Sequence, residues 1–177
     1  MDEHDRNISM LIQSLQPTPI EKPVLYFSAP WHRGQRITFS LKNTFPEDHI
    51  ILFKFMTSTA AANNTIMNKS NRYFVRPSAG KMVSSSATDQ MNIMLFLNQV
   101  PEGFTDSGRG VEGLKTVTKL KDKIIIRWAA IQRNTRIEAW VNSLQESTRR
   151  KWIDMLDEEW PDQVTIHMTR IKVRFNT

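Results

Sequence analysis

The sequence predicts an all-β sandwich carrying one added helix. Strand-like runs rich in β-branched and aromatic residues recur between turn signals, with almost no helical periodicity between them. Two of these runs are the most informative. Ile51-Leu52-Phe53-Lys54-Phe55-Met56-Thr57-Ser58 reads as a strand, and Arg72-Tyr73-Phe74-Val75-Arg76-Pro77-Ser78-Ala79-Gly80 as a shorter one stopped by proline and closed by glycine. Proline locks φ and cannot donate to a ladder, so the second run is a short strand entering a fixed turn.

Residues 1–20 read as a tail. Within it Ile8, Leu11, Ile12 and Leu15 share one face at helical spacing and predict a short helix over 7–15, stopped by Pro17, Pro19 and Pro23. The domain then occupies 21–176. Strands are expected at 24–27, at 36–42 with Ile37, Phe39 and Leu41 alternating, at 50–57, at 73–76, at 91–97 and at 117–128. The segment 43–49 is turn chemistry, with asparagine, proline and aspartate, and joins two strands that pair. The segments 59–71 and 101–113 read as surface loops, the first small and polar, the second with four glycines.

Ser143-Leu144-Gln145-Glu146 has the form of a capping box and predicts a helical insertion over 143–159. Trp152, Met155, Leu156 and Trp160 then line one side, and Pro161 ends it. A last strand is expected over 164–175. Its alternation slips between Met168 and Ile171, which predicts a bulge or two shorter pieces. Of the five tryptophans, Trp128 and Trp152 are expected in the core or covering it, and Trp31, in a turn, partly exposed.

The chain has 177 residues, 24 Lys and Arg against 18 Asp and Glu, and no cysteine. One domain with a real core fits that length. A disulfide framework, a thiol nucleophile and a thiolate metal site are excluded. Neither a secretory signal nor a membrane helix is predicted, because the first residues are acidic and no apolar run approaches the ~20 residues a span needs. The expected compartment is cytoplasmic, with no membrane anchor of the chain's own. The net charge of +6 arises in residues 21–141, where 17 basic residues face nine acidic ones. Such a body attracts acidic peptides, anionic lipid surfaces or phosphates. Scattered positives without stacking aromatics in a recognisable motif argue against nucleic acid.

Catalytic chemistry has no foothold. His4, His32, His49 and His167 lack metal-ligand spacing and read as surface residues. Gly108-Arg109-Gly110-Val111-Glu112-Gly113 spells a dinucleotide pattern, yet neither a strand leads tightly into it nor a helix follows. Asp157-Glu158-Glu159 point in different directions at a helix end. No catalytic residue, metal or cofactor is expected.

The two opening runs, together with Leu25-Tyr26-Phe27, Leu41-Lys42-Asn43-Thr44, Lys121-Asp122-Lys123-Ile124-Ile125-Ile126 and Arg170-Ile171-Lys172-Val173-Arg174-Phe175, resemble the major sperm protein domain in order and spacing. That family includes the domain of the VAMP-associated proteins. The resemblance covers roughly 21–175. It implies a seven-stranded immunoglobulin-like sandwich that works by binding. One implied role is structural: self-association into a homo-oligomer, with a cytoskeletal part as in nematode sperm. The alternative is an adaptor for acidic, phenylalanine-containing peptides. For that adaptor the resemblance places the peptide on Lys54, Met56, Thr57, Ser58, Lys123 and Ile125. Met56 stands where the family has a second lysine, and Ile125 where its peptide binders have methionine, so the cationic cluster is one charge short.

Overall fold

The computed structural model of the chain describes residues 8–12, 24–43, 48–57, 72–83, 90–100 and 121–176, with only the backbone at 8–12 and 90. Among them are nine strands: β1 (Ile8–Ile12), β2 (Val24–Ser28), β3 (Arg36–Asn43), β4 (His49–Met56), β5 (Tyr73–Arg76), β6 (Ala79–Met82), β7 (Gln90–Leu97), β8 (Lys121–Gln132) and β9 (His167–Asn176). Helix α1 (Arg136–Asn142), a 3-10 turn (Glu146–Lys151) and helix α2 (Trp152–Glu159) lie between β8 and β9. The strands form two sheets, ordered β1-β3-β7-β5 and β2-β9-β8-β4-β6. The result is an all-β, immunoglobulin-like sandwich with a helical insertion in its C-terminal half, two strands richer than the seven expected.

Alternation builds the main core. Ile37, Phe39 and Leu41 of β3, Ile93, Leu95 and Leu97 of β7, and Ile124, Ile126 and Trp128 of β8 all point between the sheets. Phe27 lies between the rings of Tyr73 and Phe175, at centroid distances of 6.2 and 5.5 Å. Trp31, expected to be partly exposed, is instead 1% exposed. Its indole nitrogen donates to the Phe27 carbonyl at 2.9 Å, so the turn folds its tryptophan under the end of β2.

Strand β4 reads Ile50-Ile51-Leu52-Phe53 without alternation because it is buried on both faces. Ile51 and Phe53 enter the main core. Ile50 and Leu52 join Ala129 and Ile131 of β8 in a second core on the outer face, covered by Val141, Trp152, Ile153 and Leu156.

The insertion differs from the expected single helix over 143–159. Its first helix starts at Arg136, where the Glu138 amide donates to the Thr135 hydroxyl oxygen at 3.3 Å. The Glu138 carboxylate reaches back to the Asn134 amide at 3.1 Å, and Asn134 holds φ at +61°. Ser143 is the C-cap of this helix, since its own N–H bonds back to Ala139 and Trp140. Ser143 is in the αR region, at φ −83° and ψ −11°, and its hydroxyl donates back to the Trp140 carbonyl, whereas an N-cap is extended and accepts from the next turn, so the capping-box pattern at 143–146 misplaces the start. Pro161 ends the unit as expected, with Trp160 as the last cap.

Two further expectations are corrected, and one strand is added. Residues 8–12 form a strand paired in parallel with β3, from Ile8 opposite Phe39 to Ile12 opposite Asn43, and not part of a helix over 7–15. Four apolar residues in so short a span fit either period, and the open edge of β3 decides between them. Strand β9 pairs with β8 without interruption from Lys121–Arg174 to Trp128–His167, so it carries no bulge. Thr169 simply takes the inward place where an apolar residue was expected, and accepts a hydrogen bond from the Trp128 indole at 3.0 Å. Ala79–Met82, with no strand-like pattern, is the edge strand β6.

The opening motif is the point where the chain changes sheets. β5 ends on one sheet edge, Pro77 and Ser78 cross over, and β6 pairs with β4 on the other sheet. Gly80 stands opposite Phe53, where a Cβ would come within 3.2 Å of the ring. The segments 59–71 and 101–113 lie outside the described residues.

Candidate groove beside the edge strand β5

The sheet change leaves an open groove of about 730 Å³ between β5 and the 3-10 turn. Its walls include Phe55, Thr57, the run from Tyr73 to Ala79, and Arg149 and Arg150. That volume is in the range of ligand sites, about 300–1,000 Å³. β5 is the last strand of its sheet, so one side of its backbone is unpaired by β7. The Asn98 amide donates to the Arg72 carbonyl at 2.7 Å, and pairing alternates along an antiparallel ladder. Phe74 and Arg76 therefore bond toward β7, while the N–H and C=O groups of Tyr73 and Val75 point away from it.

The rim is cationic. Arg76, Arg149 and Arg150 are exposed, and the one carboxylate among the described lining residues, Glu146, lies 3.1 Å from Arg149. Arg150 bridges the turn to the sheet by donating to the carbonyls of Phe55 at 3.1 Å and Ser78 at 3.2 Å. Phe74 is 48% exposed and lines this opening, so its ring is open to contact from the groove.

The groove floor is held by a buried polar network. Asp122 of β8 accepts from the Tyr73 hydroxyl at 2.7 Å and from the Arg72 guanidinium at 2.8 Å, and so ties the edge of one sheet to the other. Burial, with the adjacent Asp122 charge and hydrogen bond, pushes the Tyr73 phenol far above its ordinary pKa. The hydroxyl stays protonated and donating at any physiological pH.

The residues that the family resemblance places on a peptide face divide between two surfaces. Thr57 lines the groove. Lys54 and Met56 lie on the outer face of the five-stranded sheet, opposite Arg127 and Ile125 of β8. Lys123, two residues along β8, shares that face. Ser58 lies outside the described residues. Lys54 is not open to a ligand: its ammonium sits 3.1 Å from Asp154 of α2, whose other oxygen accepts from Arg127 at 2.7 Å. Burial raises the Asp154 pKa, but hydrogen bonds and charge from Lys54 and Arg127 outweigh it and hold the carboxyl below its ordinary range. Sequence reasoning missed Arg149 and Arg150, because their place beside β5 depends on the fold of the insertion. Arg76 was in view, inside the opening motif.

His167 stacks on Trp128 at 4.5 Å, half-buried, and not on the open surface expected of it. Among the described residues no group of three or more His, Asp or Glu side chains is arranged to hold a metal. Among them, too, no helix is long and apolar enough to cross a membrane.

No family model and no curated protein matches the chain. Similar solved structures include SSP-19, an MSP-domain protein like family member in Caenorhabditis elegans. It has 12% identity and a TM-score of 0.41, over 88% of this chain and 94% of that one. The Pseudomonas aeruginosa CupB2 chaperone aligns at 9% identity and a TM-score of 0.41, over 87% of this chain and 53% of that one. The periplasmic chaperone SfaE aligns at 9% identity and a TM-score of 0.43, over 88% and 55%. The chain spans about half the length of these two chaperones.

Proposed function

We propose that the chain is a non-catalytic binding module of the major-sperm-protein type. Its groove beside β5 takes an extended, acidic segment of a partner protein. The observation that carries this reading is the edge of β5 that no described strand pairs, facing a cavity rimmed by Arg76, Arg149 and Arg150. An extended peptide adds to such an edge through main-chain hydrogen bonds, while side-chain pockets give selectivity. Acidic side chains on the peptide complement the arginines and steer encounter. The exposed Phe74 ring offers an apolar contact to an aromatic residue of the same segment. The order of sequence motifs supports the family reading.

Fluorescence anisotropy with an acidic, phenylalanine-containing peptide tests it. Arg76→Glu with Arg149→Glu weakens binding about tenfold or more at low salt. Lys54→Gln leaves affinity unchanged, because that ammonium is held by Asp154. Equal binding by the arginine variant, or a large loss in Lys54→Gln, moves the site to the outer sheet face.

A second reading, self-association, uses the same edge, since β5 of another copy can pair with it. Sedimentation at rising concentration separates the two. A monomer throughout leaves the groove to a foreign segment.

A further inference from the structure

The outer face of β2, β9 and β8 carries a second feature, away from the groove. Lys123 stands opposite Lys172, and Lys121 opposite Arg174. Arg170 stands opposite Ile125 on the same face. Like charges directly opposite each other destabilise a sheet. At the neighbouring pair, Lys54 and Arg127, Asp154 removes the conflict. Lys121, Lys123, Arg170 and Lys172 form no ion pair with a described residue. Arg174 turns its guanidinium onto the carbonyls of Asp122 and Val173.

Apolar side chains flank these cations. Tyr26, level with Arg174, is 42% exposed, and Met168, level with Arg127, is 57% exposed. They stand toward opposite ends of an open face roughly 20 Å long, by the rise of an extended strand. Cations spread in two dimensions, with an aromatic and a thioether side chain at the ends, match a planar charged surface better than a single extended chain.

We infer that this face docks on an anionic bilayer surface, with Lys121, Lys123, Arg170 and Lys172 over the headgroups and Tyr26 and Met168 at the interface. Headgroup charge relieves the Lys123–Lys172 repulsion that the fold tolerates alone. Polybasic segments gain from anionic leaflets through each cation near the surface, and amphipathic side chains such as tyrosine sit well at that boundary.

Co-sedimentation of the whole chain with vesicles of phosphatidylcholine, with and without phosphatidylserine, tests the inference. The protein is expected to partition onto the phosphatidylserine vesicles, less so as salt rises, and to ignore pure phosphatidylcholine. Lys123→Gln with Lys172→Gln weakens partitioning about fivefold per cation removed. Its melting temperature does not fall, because a repulsive pair is gone, which separates lost binding from lost folding. Tyr26→Ser with Met168→Ser weakens partitioning while keeping the salt dependence. Absence of partitioning at low salt, or equal partitioning by the lysine variant, overturns the inference. So does binding of a polyglutamate probe on this face without vesicle binding, which assigns the face to an acidic protein. Arg76→Gln with Arg149→Gln removes the same charge at the groove and is expected to weaken partitioning much less than the lysine pair does; an equal loss makes the binding a matter of net charge and overturns the inference.

Discussion

Asp122 holds two sheets together through one carboxylate. It is 12% exposed in its side chain, and its partner Arg72 18%. Replacing it by asparagine keeps the shape but leaves the arginine without a counter-charge, and losing the charge from this part-buried pair costs about 2 kcal/mol. Urea unfolding is the measurement, and a midpoint unchanged in Asp122→Asn contradicts the network's role. His167 gives a pH dependence whose sign is fixed by its setting. Burial against Trp128 lowers its pKa from the ordinary 6.5, so the unfolded chain takes up the proton first. The stability contributed by the neutral ring is complete above that unfolded value and is lost as pH falls through the lowered folded one. Melting temperature therefore drops as pH falls below the ordinary 6.5, and His167→Gln flattens that drop. Neither residue's role was visible in the sequence. A histidine or aspartate in a strand says nothing of what lies across the sandwich, and Trp31 was misjudged for the same reason.

Among the elements, the insertion between β8 and β9 has the largest effect on what the sandwich can bind. It covers the outer face of β4 and β8 through Trp152, Ile153 and Leu156, places Asp154 on Lys54, and sets Arg149 and Arg150 beside β5. Leu156 is fully buried, so Leu156→Ala costs about 3 kcal/mol by lost burial and the cavity left behind. Because α2 continues directly from the 3-10 turn that frames the groove, the same variant also weakens peptide binding, and titration beside thermal melting checks both. Most strands were legible, since Ile37-Thr38-Phe39 or Tyr73-Phe74-Val75 alternate as half-buried strands must. β6 was not, because Ala79-Gly80-Lys81-Met82 is chosen for close approach to Phe53 and not for β propensity. The helix start at Arg136 was present as Thr135-Arg136-Ile137-Glu138, but a second match to the same pattern eight residues later drew the boundary away from it.

At the scale of the whole molecule, two surfaces follow from one sandwich. The sheet change at Pro77 opens an edge beside three arginines, and the outer face of β8 and β9 leaves four cations uncompensated among the described residues. The fold was legible because strand periodicity and turn chemistry act locally. The groove was not, because it joins Thr57, Tyr73 and Arg150, residues far apart in sequence that only the closed sandwich brings together. Backbone amide chemical shifts recorded during titration with an acidic, phenylalanine-containing peptide test the groove most directly. Peptide pairing with β5 shifts the Tyr73 and Val75 amides, protects them from exchange, and moves Arg76, Arg149 and Arg150 with them. Shifts confined to Lys123, Ile125 and Lys172, with Tyr73 and Val75 unchanged and unprotected, contradict it.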